Sequence, residues 1–203
     1  MRPTLNLNNA GLSLVEVLVA LGIFIMLIGS ITSILIISSR SKNIVFEQLL
    51  TQSQGRKVVQ DFVNELRSAN VSSIGAYPLA EVAPNEIIFY SNIDSDTYRE
   101  RIRYFLSNNN LIKGIIKPSG NPLQYLANQE VTSTVANSIN NGSDPLFSYY
   151  DQNYTGTSTP LVNPNVTAVR MVKIKFQLER NPNFSPAALN LEGQAELRNL
   201  KNN

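Results

Sequence analysis

The sequence predicts an α+β protein: one long N-terminal α-helix, membrane-spanning in its first half, packed on an antiparallel β-sheet head. Three observations predict it. Val17 to Ser39 contains no charged residue, and no proline occurs between Pro3 and Pro78. After Tyr77-Pro78 the chain breaks into short β-rich runs separated by Asn-, Gly- and Ser-containing stretches, the pattern of consecutive strands rather than of alternating βα units.

Composition narrows the function classes. Hydrophobic residues make up 43% of the 203 residues and charged ones 16%, a charge density below that of ordinary soluble domains. Cys 0 and His 0 remove disulfides, thiol nucleophiles, thiolate or imidazole metal sites and imidazole general bases. An enzyme is not expected, nor is a cofactor. Seventeen basic residues against 15 acidic ones provide no basic field for nucleic acid.

As a helix, the uncharged run covers about 35 Å, enough for a hydrocarbon core of about 30 Å. A cleaved secretory signal has a shorter apolar region ending in small residues, whereas this run ends in Ile34-Leu35-Ile36-Ile37-Ser38-Ser39. A plain signal anchor fits the length better. It does not account for Glu16, a carboxylate inside the start of the apolar stripe, where insertion costs a few kcal/mol unless a partner is found. No Lys or Arg lies within helical reach. The expected partner therefore comes from elsewhere, and an α-amino group created by a cut after Gly11 would be such a cation.

Gly11 followed by LSLVEVLVALGIFIMLIG resembles the type IV prepilin signature, a short leader ending in Gly and then an apolar helix with Glu at its fifth position. The resemblance covers about the first thirty residues. It departs from the family in having Leu12 where Phe is commonest and only Arg2 as a basic leader residue. It implies cleavage between Gly11 and Leu12 by a prepilin peptidase, N-methylation of Leu12, and pairing of Glu16 with the Leu12 amine of a neighbouring subunit during filament assembly. It also implies a head outside the cytoplasmic (inner) membrane, with the N-terminus inside. Arg40, Lys42, Arg56 and Lys57, read alone by the positive-inside rule, give the opposite orientation.

The expected organisation is a leader at 1–11, a transmembrane and filament-core helix at 12–39, an amphipathic continuation of that helix at 40–70, and a β head at 71–203. In the continuation, Val45, Leu49, Val59, Phe62, Val63, Leu66 and Ala69 recur at helical spacing, and Lys57 and Asp61 stand i, i+4. Expected strands are 86–90, 99–106, 111–117 (after a turn at Asn108-Asn109-Asn110), 146–150, 166–179 and 191–200, with surface loops at 137–144 and 151–165. The head is similar, more loosely, to the larger minor pilins and the J-type minor pseudopilins of type II secretion, through Phe147-Ser148-Tyr149, the long 166–179 strand and Leu197-Arg198-Asn199. That resemblance implies the major pilin and other minor pilins or pseudopilins as partners, and a place in an initiating tip complex.

Further candidate residues have plain structural readings beside functional ones. Asp94 and Asp96, with Glu100 nearby, are oxygen donors of the type calcium takes, but the run lacks the Gly and the ligand series of an EF-hand loop. Asp is favoured in solvated turns anyway, so no metal is assigned. Arg99, Arg101 and Arg103 form either a solvated strand face or a surface for an acidic neighbour. Phe147 and Tyr149 alternate as core residues do, with Tyr150 and Tyr154 as candidates for a recognition surface.

Overall fold

The computed structural model describes residues 13–94, 96–179 and 188–200. The proposed cleavage residues Gly11 and Leu12 lie outside the described residues. The chain divides into two compact units, Met1–Glu47 and Gln48–Asn203, and one helix, α1 (Leu14–Arg67), contributes to both.

From Val17 to Ser39 α1 is apolar on every side and exposed: Phe24 is 59% exposed and Met26 76%. A helix that is hydrophobic all round is one that lipid or other helices must cover. Three of its hydroxyls are satisfied within the helix. Ser30 Oγ donates to Met26 O (2.9 Å), Thr32 Oγ1 to Ile28 O (2.7 Å) and Ser33 Oγ to Gly29 O (2.9 Å), which leaves no unpaired hydroxyl proton among these three to oppose transfer from water. Among the described residues, α1 is the one helix long and apolar enough to cross a membrane.

In the second unit the helix has one buried stripe, Val58, Phe62, Val63 and Leu66. The expected stripe began earlier, but Val45 and Leu49 are 53% and 58% exposed. The Lys57–Asp61 pair forms as expected, at 2.9 Å and in solvent. Beyond the last turn, Asn70 N–H donates to Tyr90 O, and Asn199 Nδ2 donates to Ala69 O, tying the helix exit to a central strand and to the C-terminal segment.

The head holds two antiparallel sheets where a single one was expected. Strands β1 (Leu79–Ala83), β2 (Glu86–Ser91), β3 (Glu100–Ser107), β4 (Asn110–Ile116) and β5 (Val131–Ala136) form a meander in sequence order. Strands β6 (Phe147–Tyr150), β7 (Met171–Leu178) and β8 (Leu189–Glu196) form a second sheet in the same manner. The split has a local cause. The polar segment after β5 leaves that edge and bridges to β7, with Ile139 opposite Leu178 and Asn140 N–H bonded to Gln177 O, so β6 finds its partner there. Strands β1 and β5 were not expected. Each has a weak alternation in sequence, and four consecutive β5 residues, Val131 to Thr134, are exposed.

The β3–β4 hairpin closes through Asn108 and Asn109, both at positive φ (48° and 62°), the two-residue geometry in which Asn is tolerated. Strand β7 starts later than the expected 166, because Asn165 Oδ1 accepts the Thr167 N–H and Ala168 N–H bonds to Asn165 O, holding 165–168 as a turn. The last strand ends at Glu196 rather than running to 200, and Arg198–Leu200 turns as a short 3-10 helix.

Phe62 sits where α1 meets both sheets. Its ring lies 6.3 Å from Phe89, 5.2 Å from Tyr104 and 5.4 Å from Phe147. The helix approaches β8 through glycines. A Cβ on Gly193 would lie 2.4 Å from Val59 Cγ1, and one on Gly55 would meet the Leu191 and Leu178 side chains. A side chain at Gly55 would therefore have to push these leucines aside, a packing reason for Gly beside its cost to helix propensity.

Candidate functional site

Ser13 and Glu16 start the helix together. Ser13 N–H donates to Glu16 Oε2 (2.9 Å), and Glu16 N–H donates to Ser13 Oγ (3.3 Å). This reciprocal pair is a capping box, with Ser at the N-cap and Glu at the third helical position. The S-x-x-E spacing was in the sequence as a signal for this box, which the expectation of an outside partner for Glu16 did not include. Its hydrogen bond is supplied from within the chain. Its charge is not, for among the described residues no cation is in ion-pair contact with it. Because the box uses only residues 13 and 16, a cut between Gly11 and Leu12 would leave it whole. Glu16 is exposed at the edge of the apolar surface.

Asp94, Asp96 and Glu100 come together where β2 passes to β3. One oxygen of each carboxylate lies within 4.8 Å of the others, the one such grouping of three among the described residues. Asp94 and Asp96 are exposed in the loop, whereas Glu100, first residue of β3, is fully buried. Glu100 Oε2 accepts the Ile93 N–H at 3.1 Å, and Oε1 is buried with no hydrogen-bond partner. Lys117, just past the end of β4, pairs its Nζ with Asp94 Oδ2 and stands 3.5 Å from Asp96 Oδ2. The bond from Lys117 holds the Asp94 carboxyl below its usual range and raises the Lys117 ammonium. Burial pushes the Glu100 carboxyl up, against the opposing bond from Ile93.

Of the three candidate arginines, Arg103 is not free. Arg103 Nε pairs with Glu86 Oε1 (2.7 Å) and its Nη1 with Glu130 Oε2 (3.1 Å), and its guanidinium lies 3.9 Å from the centre of the Phe105 ring. Phe147 and Tyr149 are core residues. Tyr149 donates to Ala83 O (2.7 Å) and accepts from Ala83 N–H (3.1 Å), joining the smaller sheet to the β1–β2 corner; burial raises its phenol far above the usual range. Tyr150 is buried as well, and the Tyr154 ring lies 4.4 Å from it, so Tyr150 is not an open recognition surface.

One cluster escaped sequence reasoning. Glu65, on the buried side of α1, accepts from Tyr104 Oη at 2.9 Å and from Lys113 Nζ at 2.5 Å. Lys113 faces the helix because it is paired with Tyr104 across β3 and β4. Burial and the neighbouring Glu65 charge push the Tyr104 phenol up. No signal in the sequence brings residues 65, 104 and 113 together. Comparison of the sequence with protein-family models and with curated proteins finds no match.

Proposed function

We propose that this chain is a non-enzymatic structural subunit of a type IV filament system, a minor pilin or pseudopilin of a pilus or of type II secretion. In this view α1 waits in the cytoplasmic membrane with the head on the extracytoplasmic side. A prepilin peptidase cuts after Gly11 and methylates Leu12, and the helix then enters a filament core beside the major pilin and other minor subunits, in the initiating tip complex.

The observation that carries this is the exposed apolar half of α1 with a Glu16 at its beginning that has no ion-pair partner among the described residues. Covering that surface removes a large apolar area from water at about 25 cal/mol per Å². Lipid can cover it, and so can neighbouring helices, but a neighbouring subunit would also bring an α-amino cation to Glu16. Mass spectrometry of the protein extracted from membranes tests processing directly, since a chain beginning at methylated Leu12 is expected.

The capping box favours one other reading, an uncleaved, signal-anchored extracytoplasmic β-domain that binds a partner. There Glu16 would serve only to start the helix. Two variants divide the possibilities. Glu16→Gln keeps an acceptor for Ser13 N–H but removes the charge, and Ser13→Ala breaks the box but keeps the charge. Recovery in sheared filaments should fall for Glu16→Gln and hold for Ser13→Ala. Equal recovery of Glu16→Gln and wild type would sink the pairing role, and an intact Gly11–Leu12 bond in mature protein would favour the anchor.

A further inference from the structure

We propose that Asp94, Asp96 and Glu100 form a calcium site on the head, with Lys117 as a tethered counter-ion that the metal displaces. The inference concerns the head alone and stands whether or not the chain enters a filament.

Acidic loops are common without metals, and Asp94 and Asp96 by themselves would be a solvated turn. Glu100 is what distinguishes this one. Its side chain is fully buried, yet Oε1 has no hydrogen-bond partner. An oxygen removed from water without a replacement bond carries a desolvation penalty, and in a native fold such an atom calls for a ligand. The same carboxyl group approaches the two exposed carboxylates of Asp94 and Asp96 to within 4.8 Å.

Ligand chemistry and charge agree on the kind of ion. Calcium takes several carboxylate oxygens in a flexible shell, whereas magnesium demands a near-ideal octahedron, dehydrates reluctantly and is usually held by one or two carboxylates. Three carboxylates face the single ammonium of Lys117, an excess of negative charge that a divalent cation offsets better than the ammonium it displaces. Lys117 is the only cation in ion-pair contact with the three among the described residues, and its side chain is 60% exposed. It can swing into water when the ion arrives, leaving Asp94 and Asp96 to the metal. With the hard oxygen set come two loop positions in β2–β3 and one strand position, so binding would fasten the loop to the start of β3.

The test is calorimetric titration of the full chain in detergent micelles, stripped with chelator, with calcium chloride and then with magnesium chloride. Saturable calcium binding is expected in the weak range of extracellular modules, about 10⁻⁴–10⁻³ M, with a rise in the unfolding temperature of the head. Magnesium should bind at least about tenfold more weakly, since it sheds its waters reluctantly and demands a strict octahedron. Glu100→Gln and the exposed Asp96→Asn should each weaken calcium binding about tenfold or more, through loss of a charged ligand. Lys117→Gln should tighten it. If Glu100→Gln fails to fold, Asp96→Asn and Lys117→Gln still decide. No saturable binding up to about 10⁻² M, ten times the weak end of that range, overturns the site. So does calcium binding that neither Asp96→Asn nor Lys117→Gln alters. Equal affinity for magnesium overturns the assignment to calcium.

Discussion

Replacing Phe62 with alanine is expected to destabilise the head by about 3–5 kcal/mol. Phe62 has no solvent exposure and touches an aromatic ring from each of three strands, β2, β3 and β6. Truncation removes the ring from a site closed on one side by the helix and on the other by both sheets, so little collapse can fill the void. The edge-to-face contacts with Phe89 and Tyr104, at 85° and 90° between planes, each contribute about 0.5–1.5 kcal/mol beyond area burial. For a domain of this size about 2–4 °C of melting temperature accompanies each kcal/mol, so the transition should fall by roughly 10 °C. Near-ultraviolet circular dichroism of the tyrosines in detergent-solubilised protein would follow it. Phe24→Ala is the internal control. Phe24 is 59% exposed, and its loss should leave the head transition within about 0.5 kcal/mol of wild type. A cost below about 1 kcal/mol for Phe62→Ala, or equal costs for the two variants, would refute the assignment of the core to the second half of α1.

Three other outcomes are expected. Glu65→Gln should cost about 1–3 kcal/mol, because it keeps an acceptor for Tyr104 but strands the Lys113 ammonium, and urea unfolding reads it. Gly193→Ala should cost about 1–3 kcal/mol, since the new methyl group meets Val59; the same assay giving wild-type stability would show that α1 shifts freely on β8. The third is a pH dependence measured by thermal unfolding in chelator. Glu100 has a folded value raised above 4.5, so its contribution is fully present below that value and is lost as pH rises through the folded value. Asp94 has a folded value depressed below 3.8, so its contribution is present above 3.8 and is lost as pH falls through the folded value. Glu100→Gln should therefore flatten the decline above pH 4.5 and leave the acid limb unchanged.

Helix α1 was legible because its signals are local: an uncharged run, absence of proline and the spacing of Phe62, Val63 and Leu66. The β3–β4 hairpin was legible for the same reason, through alternation and an Asn-rich turn. Strand β5 was not, since an edge with exposed Val131 and threonines acquires its order from hydrogen bonds to β4 rather than from its own pattern. Strand β2 shows a related limit. It is buried on both faces, and its outer residue Tyr90 meets Tyr125, 5.1 Å away, from a loop that nothing in the sequence assigns to it.

By itself the sequence determined what the chain must do with its apolar surface. A run without charge from Val17 to Ser39 has to leave water, whatever the rest of the molecule does. It also determined that Glu16 stands inside that problem, three residues after Ser13. Only the tertiary structure decided that the head is two sheets, that Glu65, Tyr104 and Lys113 meet, and that Glu100 is buried with one oxygen unbonded and its carboxyl beside two acidic neighbours. Hydrophobic periodicity is written residue by residue along the chain. The company a carboxylate keeps depends on which distant segments the packed core brings to it, and no local pattern encodes that.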